Sequence, residues 1–207
     1  MCHAGVMDAD SKPYHHGNLR ATLIQASLEL IRAQGPDGLT LREAARRAGV
    51  SHAAPYRHFR DKDELLAAIA EDGFQRLTTS IQAAVAQSRE PRERLSLAGV
   101  SYVEFGVDHR AEFHVMFSLA LDPAVHPATG AAAEAAFQAL LNLTEDLNGA
   151  GLLPRTDPRT AARIAWAHVH GLTELALRRQ FEFPTRRALL EFAAQSTRAL
   201  LEGLSPG

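Results

Sequence analysis

The residues best equipped to make specific polar contacts crowd into one short stretch: Ser51, His52, Tyr56, Arg57, His58 and Lys62, with Ala53 and Ala54 among them and Thr40 and Arg42 upstream. Hydroxyls, imidazoles, a phenol and cations suit recognition more than bond breaking. They match what duplex nucleic acid offers: phosphate oxygens along the backbone, donors and acceptors on base edges. The two alanines admit close approach and contact with a thymine methyl. Between Leu39 and Lys62 six basic residues (Arg42, Arg46, Arg47, Arg57, Arg60, Lys62) face two acids (Glu43, Asp61), whereas from Leu65 onward thirteen basic residues face sixteen acids. The formal net charge of −2 thus hides a basic head on a mildly acidic body, the asymmetry expected when one small region touches phosphate.

A second constellation lies further along the chain. Tyr102, Phe105, His114, Met116, Phe117, Phe137, Trp166 and His170 combine aromatic and thioether surface with a few polar groups, a mixture that suits a pocket for a small apolar ligand. A helical stripe of the same residues also builds a plain core, so both readings stand. Trp166 and His170 are four apart, which places indole above imidazole on one helix face, with Gly171 next. Ten histidines admit a metal-sensing alternative through His168 and His170 or His109 and His114, but positions two or five apart share a helix face poorly. An enzyme is a further alternative, and a purely architectural DNA-binding role a third, disfavoured because about two thirds of the chain lies outside the polar stretch. The chain has no Gly-x-Ser-x-Gly, phosphate loop, His-Glu-x-x-His or dinucleotide fingerprint, so no catalytic residue, cofactor or metal is expected.

These groups need a scaffold, and periodicity with punctuation predicts an all-α one of about nine helices. Residues 1–16 read as a flexible arm. A first helix begins near Asn18, with Leu19, Leu23, Ser27, Leu30 and Ile31 on one stripe, and stops at Gly35-Pro36. Thr40 to Glu43 reads as a capping box in which each side chain takes the other's amide, opening a short helix that Gly49 ends. Ser51 is placed to cap a third helix over His52–Phe59, only about 12 Å long. Asp61 with Glu64 opens a long helix running to about Ser88. Further helices are predicted near 92–106, 109–120, 129–148, 158–180 and 186–202, separated by Pro91, Asp108, the 122–127 segment, Gly149–Gly151 and Phe183-Pro184.

Two short helices joined by a glycine turn, with the second polar and exposed, form a helix-turn-helix whose second member fits the DNA major groove. Ala44, Ala48, Val50 and Phe59 are expected to pack the pair inward. The stretches Gly38–Ala45, Ala48–Ser51, Tyr56–Phe59 and Lys62–Leu66 resemble the signature of the TetR (tetracycline-repressor) family. That resemblance implies an N-terminal three-helix DNA-binding domain over 17–65 and a C-terminal helical effector-binding and dimerisation domain over 66–207. It also implies a homodimer on a palindromic double-stranded operator, with repression as the default outcome. At the matching positions it implies phosphate contacts by Thr40, Tyr56, His58 and Lys62, a base or backbone contact by Arg42, and base contacts by Ser51 through Ala54. The Tyr14–Arg20 segment is similar to sequences in one branch of the family, and Trp166-x-x-x-His170-Gly171 resembles the pattern of its Trp-His-Gly class of C-terminal domains.

The remaining bounds agree with a regulator of this kind. Forty-six per cent hydrophobic residues and 22% charged describe a folded protein, not a disordered one. A lone cysteine, Cys2, excludes an intramolecular disulfide and suits a reducing cytoplasm. No apolar run is long enough to span a bilayer, so no membrane partner is expected. Ile164, Val169, Leu172 and Leu175, with Leu189, Phe192, Ala193, Leu200 and Leu201, give the last two helices more apolar surface than a peripheral hairpin should expose, and burial between two copies would account for it. The unidentified small-molecule effector would act on this C-terminal part.

Overall fold

Helix ends in this chain are set by side-chain caps and glycine turns, and the described residues of the computed structural model, 19–118, 122–153 and 156–204, form eight α-helices joined by turns and two single turns of 3-10 helix. The expected N-terminal arm, Cys2 and the start of the Tyr14–Arg20 segment lie outside the described residues. Helix α1 runs Leu19–Gln34 and buries Leu23, Ser27, Leu30 and Ile31 as one stripe. Gly35, at φ 77°, closes it by donating to the Ile31 carbonyl, a left-handed position that costs an L side chain about 1–2 kcal/mol.

Helix α2, Leu41–Arg47, starts where the Thr40 hydroxyl accepts from the Glu43 amide at 3.1 Å. The return half of the expected capping box is not made. The Glu43 carboxylate instead takes the Arg46 guanidinium, Nε at 2.9 Å and Nη2 at 2.5 Å, a charged donor one turn along that outcompetes a neutral amide. Gly49, at φ 70°, ends α2 by donating to Arg46 O while the Val50 amide reaches Ala45 O. Those two bonds form a Schellman closure.

The expected third helix over His52–Phe59 is replaced by a looser turn ending in the 3-10 segment Pro55–Arg57. The cause is Pro55, which has no amide to give the Ser51 carbonyl. That carbonyl accepts from Ala54 instead, and the Arg57 and His58 amides bond three residues back, to Ala54 and Pro55. Ser51 offers no side-chain cap there. The segment still buries Phe59, 1% exposed, and Pro55, so the turn is anchored from beneath while its polar residues face out.

Helix α3, Lys62–Val85, opens on Asp61, whose carboxylate accepts from the Glu64 amide at 2.8 Å. The body follows as α4 (Pro91–Asp108), α5 (Arg110–Ser118), α6 (Pro127–Gly149), α7 (Pro158–Leu177) and α8 (Arg186–Leu204). Prolines at the first position and carboxylates before them start α4 and α7: Glu90 accepts from the Arg92 and Glu93 amides, Asp157 from those of Arg159 and Thr160. Helix α7 stops three residues short of its expected end because Arg179 turns left-handed, φ 55°, with Arg179 N bonding Ala176 O and Gln180 N bonding Leu175 O.

Helix α3 packs on α4, α5 and α6, and α4 packs on α8 and α7. One hydrophobic core runs from Leu23 of α1 through Phe59, Ile69, Phe74 and Phe113 to Val169 and Ala193. A smaller cluster around Leu95, Leu147 and Leu201 closes the far end.

Candidate nucleic-acid interface and ligand cavity

The polar residues singled out from the sequence form one surface around the Gly49 turn and the Pro55 segment. Ser51, His52, Ala53, Tyr56, Arg57 and His58 are exposed, Ala54 and Lys62 half-buried, and Tyr56 keeps 53% of its surface. Beneath them Ala44 and Phe59 are core residues, with Ala48 and Val50 packed against the same core. The surface is therefore held from one side only. Thr40 and Arg42, both exposed, flank it from the start of α2.

Charge separates the basic residues of this head into two groups. Arg46, Arg47 and Arg60 are neutralised by Glu43, Glu29 and Glu64, with Arg47 Nη2 at 2.6 Å from Glu29 and Arg60 Nε at 3.0 Å from Glu64. The hydrogen bond from Arg46 holds the Glu43 carboxyl below its ordinary range, and backbone and side-chain bonds from Arg60 do the same for Glu64. Arg42, Arg57 and Lys62 have no carboxylate partner among the described residues. Their charge is available to an external anion, and Lys62 sits at the first turn of α3, where unpaired amides add to it.

The second constellation divides. Tyr102, Phe117, Phe137 and Trp166 line a partly open, almost wholly apolar cavity of about 200 Å³ between α3, α4, α5, α6, α7 and α8. His170 stands beside it: Tyr102 Oη shares a hydrogen bond with His170 Nδ1 at 2.8 Å and accepts from Trp166 Nε1 at 3.3 Å. Phe117 packs against the His170 ring, centroids 4.8 Å apart, and separates the cavity from an open polar recess at Glu174 and Arg178. Burial keeps the Tyr102 phenol protonated by raising its pKa, and burial lowers that of His170 against the opposing pull of Glu174.

Three expected residues fall elsewhere. Phe105 is buried against the His109 ring, and Met116 packs over Gly73 of α3, where a Cβ would lie 2.6 Å from its sulfur. His114, one residue past the fully buried Phe113, is turned to solvent by helical rotation. Trp166 is 39% exposed, so it is not the buried tryptophan of a packing motif, and Gly171 has open space about its Cα, so it does not serve close helix approach within the protomer. The histidine pairs are engaged otherwise: His168 with Ser196 at 3.0 Å, His170 with Tyr102, and His109 with Glu112 at 3.2 Å.

Most of the cavity wall carries no sequence signal. Phe74, Leu77 and Ile81 of α3, Ala98 and Gly99 of α4, Ala133, Ala136 and Leu140 of α6, and Thr197 of α8 line it. Aliphatic residues at helical spacing read as core whether the space between them is filled or empty. Aromatic content alone could point to the pocket, and it found four of the lining residues.

A helix-turn-helix head joined by one long helix to a helical body with an internal apolar cavity defines a two-part, all-helical class of protein. Residues 23–69 match the family described as bacterial regulatory proteins, tetR family, and residues 95–197 match the tetracyclin repressor-like C-terminal domain. The chain belongs to the tetR family. It is 52% identical over 50 residues to the tetracycline repressor protein class A from transposon 1721 of Escherichia coli, an alignment covering 24% of this chain and 23% of that protein. Across the first three curated relatives it matches, the chain spans 23%, 38% and 47% of their lengths. Its fold resembles that of a Rhodococcus sp. RHA1 protein of unknown function, with 32% identity, a TM-score of 0.83 and coverage of 95% of this chain and 100% of that one. A tetR-family regulatory protein from Rhodococcus RHA1 shares the fold at 22% identity and TM-score 0.73, covering 91% and 97% of the two chains. No helix among the described residues is long and apolar enough to cross a membrane.

Proposed function

We propose that this chain is a sequence-specific DNA-binding transcriptional regulator, a repressor that leaves a palindromic operator when a small molecule occupies the cavity between α3 and α7. The carrying observation is that a single helix serves both places. Helix α3 presents Lys62 at its first turn and Phe74, Leu77 and Ile81 in the cavity wall, about 18 to 28 Å further along the same rigid rod. A ligand that displaces those side chains tilts α3, and a tilted α3 moves the basic head.

In this reading residues 17–65 are the reading head and 66–207 the effector-binding and dimerising body, and the protein works in the cytoplasm, where its operator lies. Thr40, Tyr56, His58 and Lys62 hold phosphates, Arg42 and Arg57 reach the backbone or a base edge, and Ser51, His52, Ala53 and Ala54 face bases. The exposed position of these residues around the Gly49 turn supports the assignment. Tyr102 links Trp166 to His170, which supports placing the body in the Trp-His-Gly class, with Trp166 in the cavity wall and His170 beside it. Two copies would join through α7 and α8. Of the apolar residues expected there, Val169, Leu172, Leu189, Ala193 and Leu201 are consumed within the protomer; Ile164, Leu175, Phe192 and Leu200 keep surface, beside the small Ala167, Gly171, Ala199 and Gly203. Small residues let two helix pairs approach closely, and the pairing sets the distance between heads near one DNA turn, about 34 Å.

The test is selection from a randomised duplex library at two salt concentrations, with sequencing of the retained fraction, beside Tyr56→Ala and Lys62→Ala. A palindrome enriched by the native protein, weakened by salt and lost in both variants is expected. Absence of enrichment by protein that melts normally would remove the operator reading.

A further inference from the structure

One polar atom in the cavity wall has nothing to bond. Thr197, 2% exposed, lines the cavity from α8, and its Oγ1 is buried without a hydrogen-bond partner among the described residues. Helical hydroxyls ordinarily turn back to the carbonyl one turn earlier, and in this protein Ser27, Thr78 and Thr173 do so at 2.7, 2.9 and 2.7 Å. The Thr197 hydroxyl does not. It lies against Gly99 of α4, where a Cβ would stand 2.7 Å from it, so the glycine makes room for that rotamer. The other polar groups of the wall already bond one another, since Tyr102 Oη accepts from Trp166 and shares a hydrogen bond with His170.

Size and charge restrict what fits. An engineered apolar cavity of about 150 Å³ holds benzene; about 200 Å³ adds a short substituent and little else. Tyr102 is the only ionisable lining residue, and burial keeps it neutral. A carboxylate or ammonium entering there would lose its water and meet no countercharge.

We propose that the cavity takes a small, neutral, ring-sized apolar compound bearing one hydroxyl or carbonyl, which hydrogen-bonds to Thr197 Oγ1. The proposal rests on the reading of the cavity as the effector site and adds the chemistry of the effector. Because the hydroxyl both donates and accepts, it recognises an alcohol, a phenol or a ketone alike.

The chain's single tryptophan, Trp166, stands in the cavity wall and reports occupancy by its emission. The full chain is titrated with benzyl alcohol, toluene and benzoate, as native protein and as Thr197→Val and Thr197→Ser. Benzyl alcohol is expected to change the emission saturably and to bind about threefold to tenfold more weakly to Thr197→Val, the cost of one hydrogen bond. Thr197→Ser keeps the affinity, toluene binds native and Val forms alike, and benzoate does not bind. The proposal is overturned if benzoate binds as well as the alcohol, if Thr197→Val leaves the alcohol-to-toluene preference unchanged, or if neither neutral probe saturates up to its solubility. Operator affinity is read in the same solutions. Saturation by benzyl alcohol with unaltered operator affinity overturns the effector role while leaving the chemistry of the cavity standing.

Discussion

The free cations of the head and the paired ones differ only in their neighbours, and that difference carries a prediction at the level of single residues. Alanine in place of Arg42, Arg57 or Lys62 should each lower operator affinity and reduce the salt dependence of binding by about one counterion. Arg60→Ala should not change the salt slope, because Glu64 already neutralises that charge. Equilibrium binding across a salt series separates the two outcomes, and equal slopes for all four variants would refute the partition. Arg179 invites a second change. It occupies the left-handed closing position of α7 that glycine fills after α2 and α6, so Arg179→Gly should stabilise the protein by up to about 1 kcal/mol in urea denaturation, strain relieved less the entropy glycine adds. The partner of Arg47 was not legible in the sequence. Glu29 is eighteen positions from Arg47, and a pairing at that distance depends on how α1 crosses α2, not on any local pattern.

Among the elements, those with strong local causes were legible and those set by competition were not. Thr40, Gly49 and Asp61 fixed the starts and stop that were expected of them. The turn before Phe59 went otherwise because one missing amide at Pro55 tips a short segment from α to 3-10 geometry, and propensity had little length over which to act. The junction between α3 and α5 was invisible as well. There the Glu112 carboxylate, 1% exposed, takes Arg76 of α3 and lies 3.2 Å from His109; its Oε2 makes no well-aligned hydrogen bond, so Arg76 is the partner that matters. Arg76→Ala should leave a buried charge nearly unpaired and cost about 3 kcal/mol by denaturant unfolding, with Glu112→Gln milder. A loss below that of Glu112→Gln would show the carboxylate to be solvated. Helix α7 carries a pH response. Burial pushes both His168 and His170 below the ordinary imidazole range, so the folded state favours their neutral forms. Their contribution is complete above about pH 6.5 and is lost as pH falls below it, because the unfolded chain takes the protons first. Melting temperature should fall between about pH 7 and 5.5 and fall less in a His168→Gln, His170→Gln double variant; parallel curves would exonerate both.

For the whole molecule the open question of assembly reduces to a surface. Phe192, 40% exposed on α8, is the largest apolar side chain left on the proposed dimer face. Phe192→Asp should give monomers in sedimentation with unchanged helicity and with operator binding reduced at least tenfold, since two heads no longer act on one site. A dimer that survives the substitution would place the interface elsewhere. All-helical architecture was readable from Leu19 onward because amphipathic periods and caps agree along the chain; the empty space within it was not, because a cavity is a property of how far apart six helices stand.

The unbroken core from Leu23 to Ala193 has one further implication, for how such a protein can be taken apart. Its reading head is not a cartridge that can be lifted out. A fragment ending near residue 65 would strip α1 and Phe59 of Ile69, Phe74 and the α5 side chains that complete their packing, and so would expose a bare apolar flank. Heat should therefore melt head and body in a single calorimetric peak, and hybrids that graft this head onto another body should stay soluble only when the whole of α3 and the face of α5 travel with it.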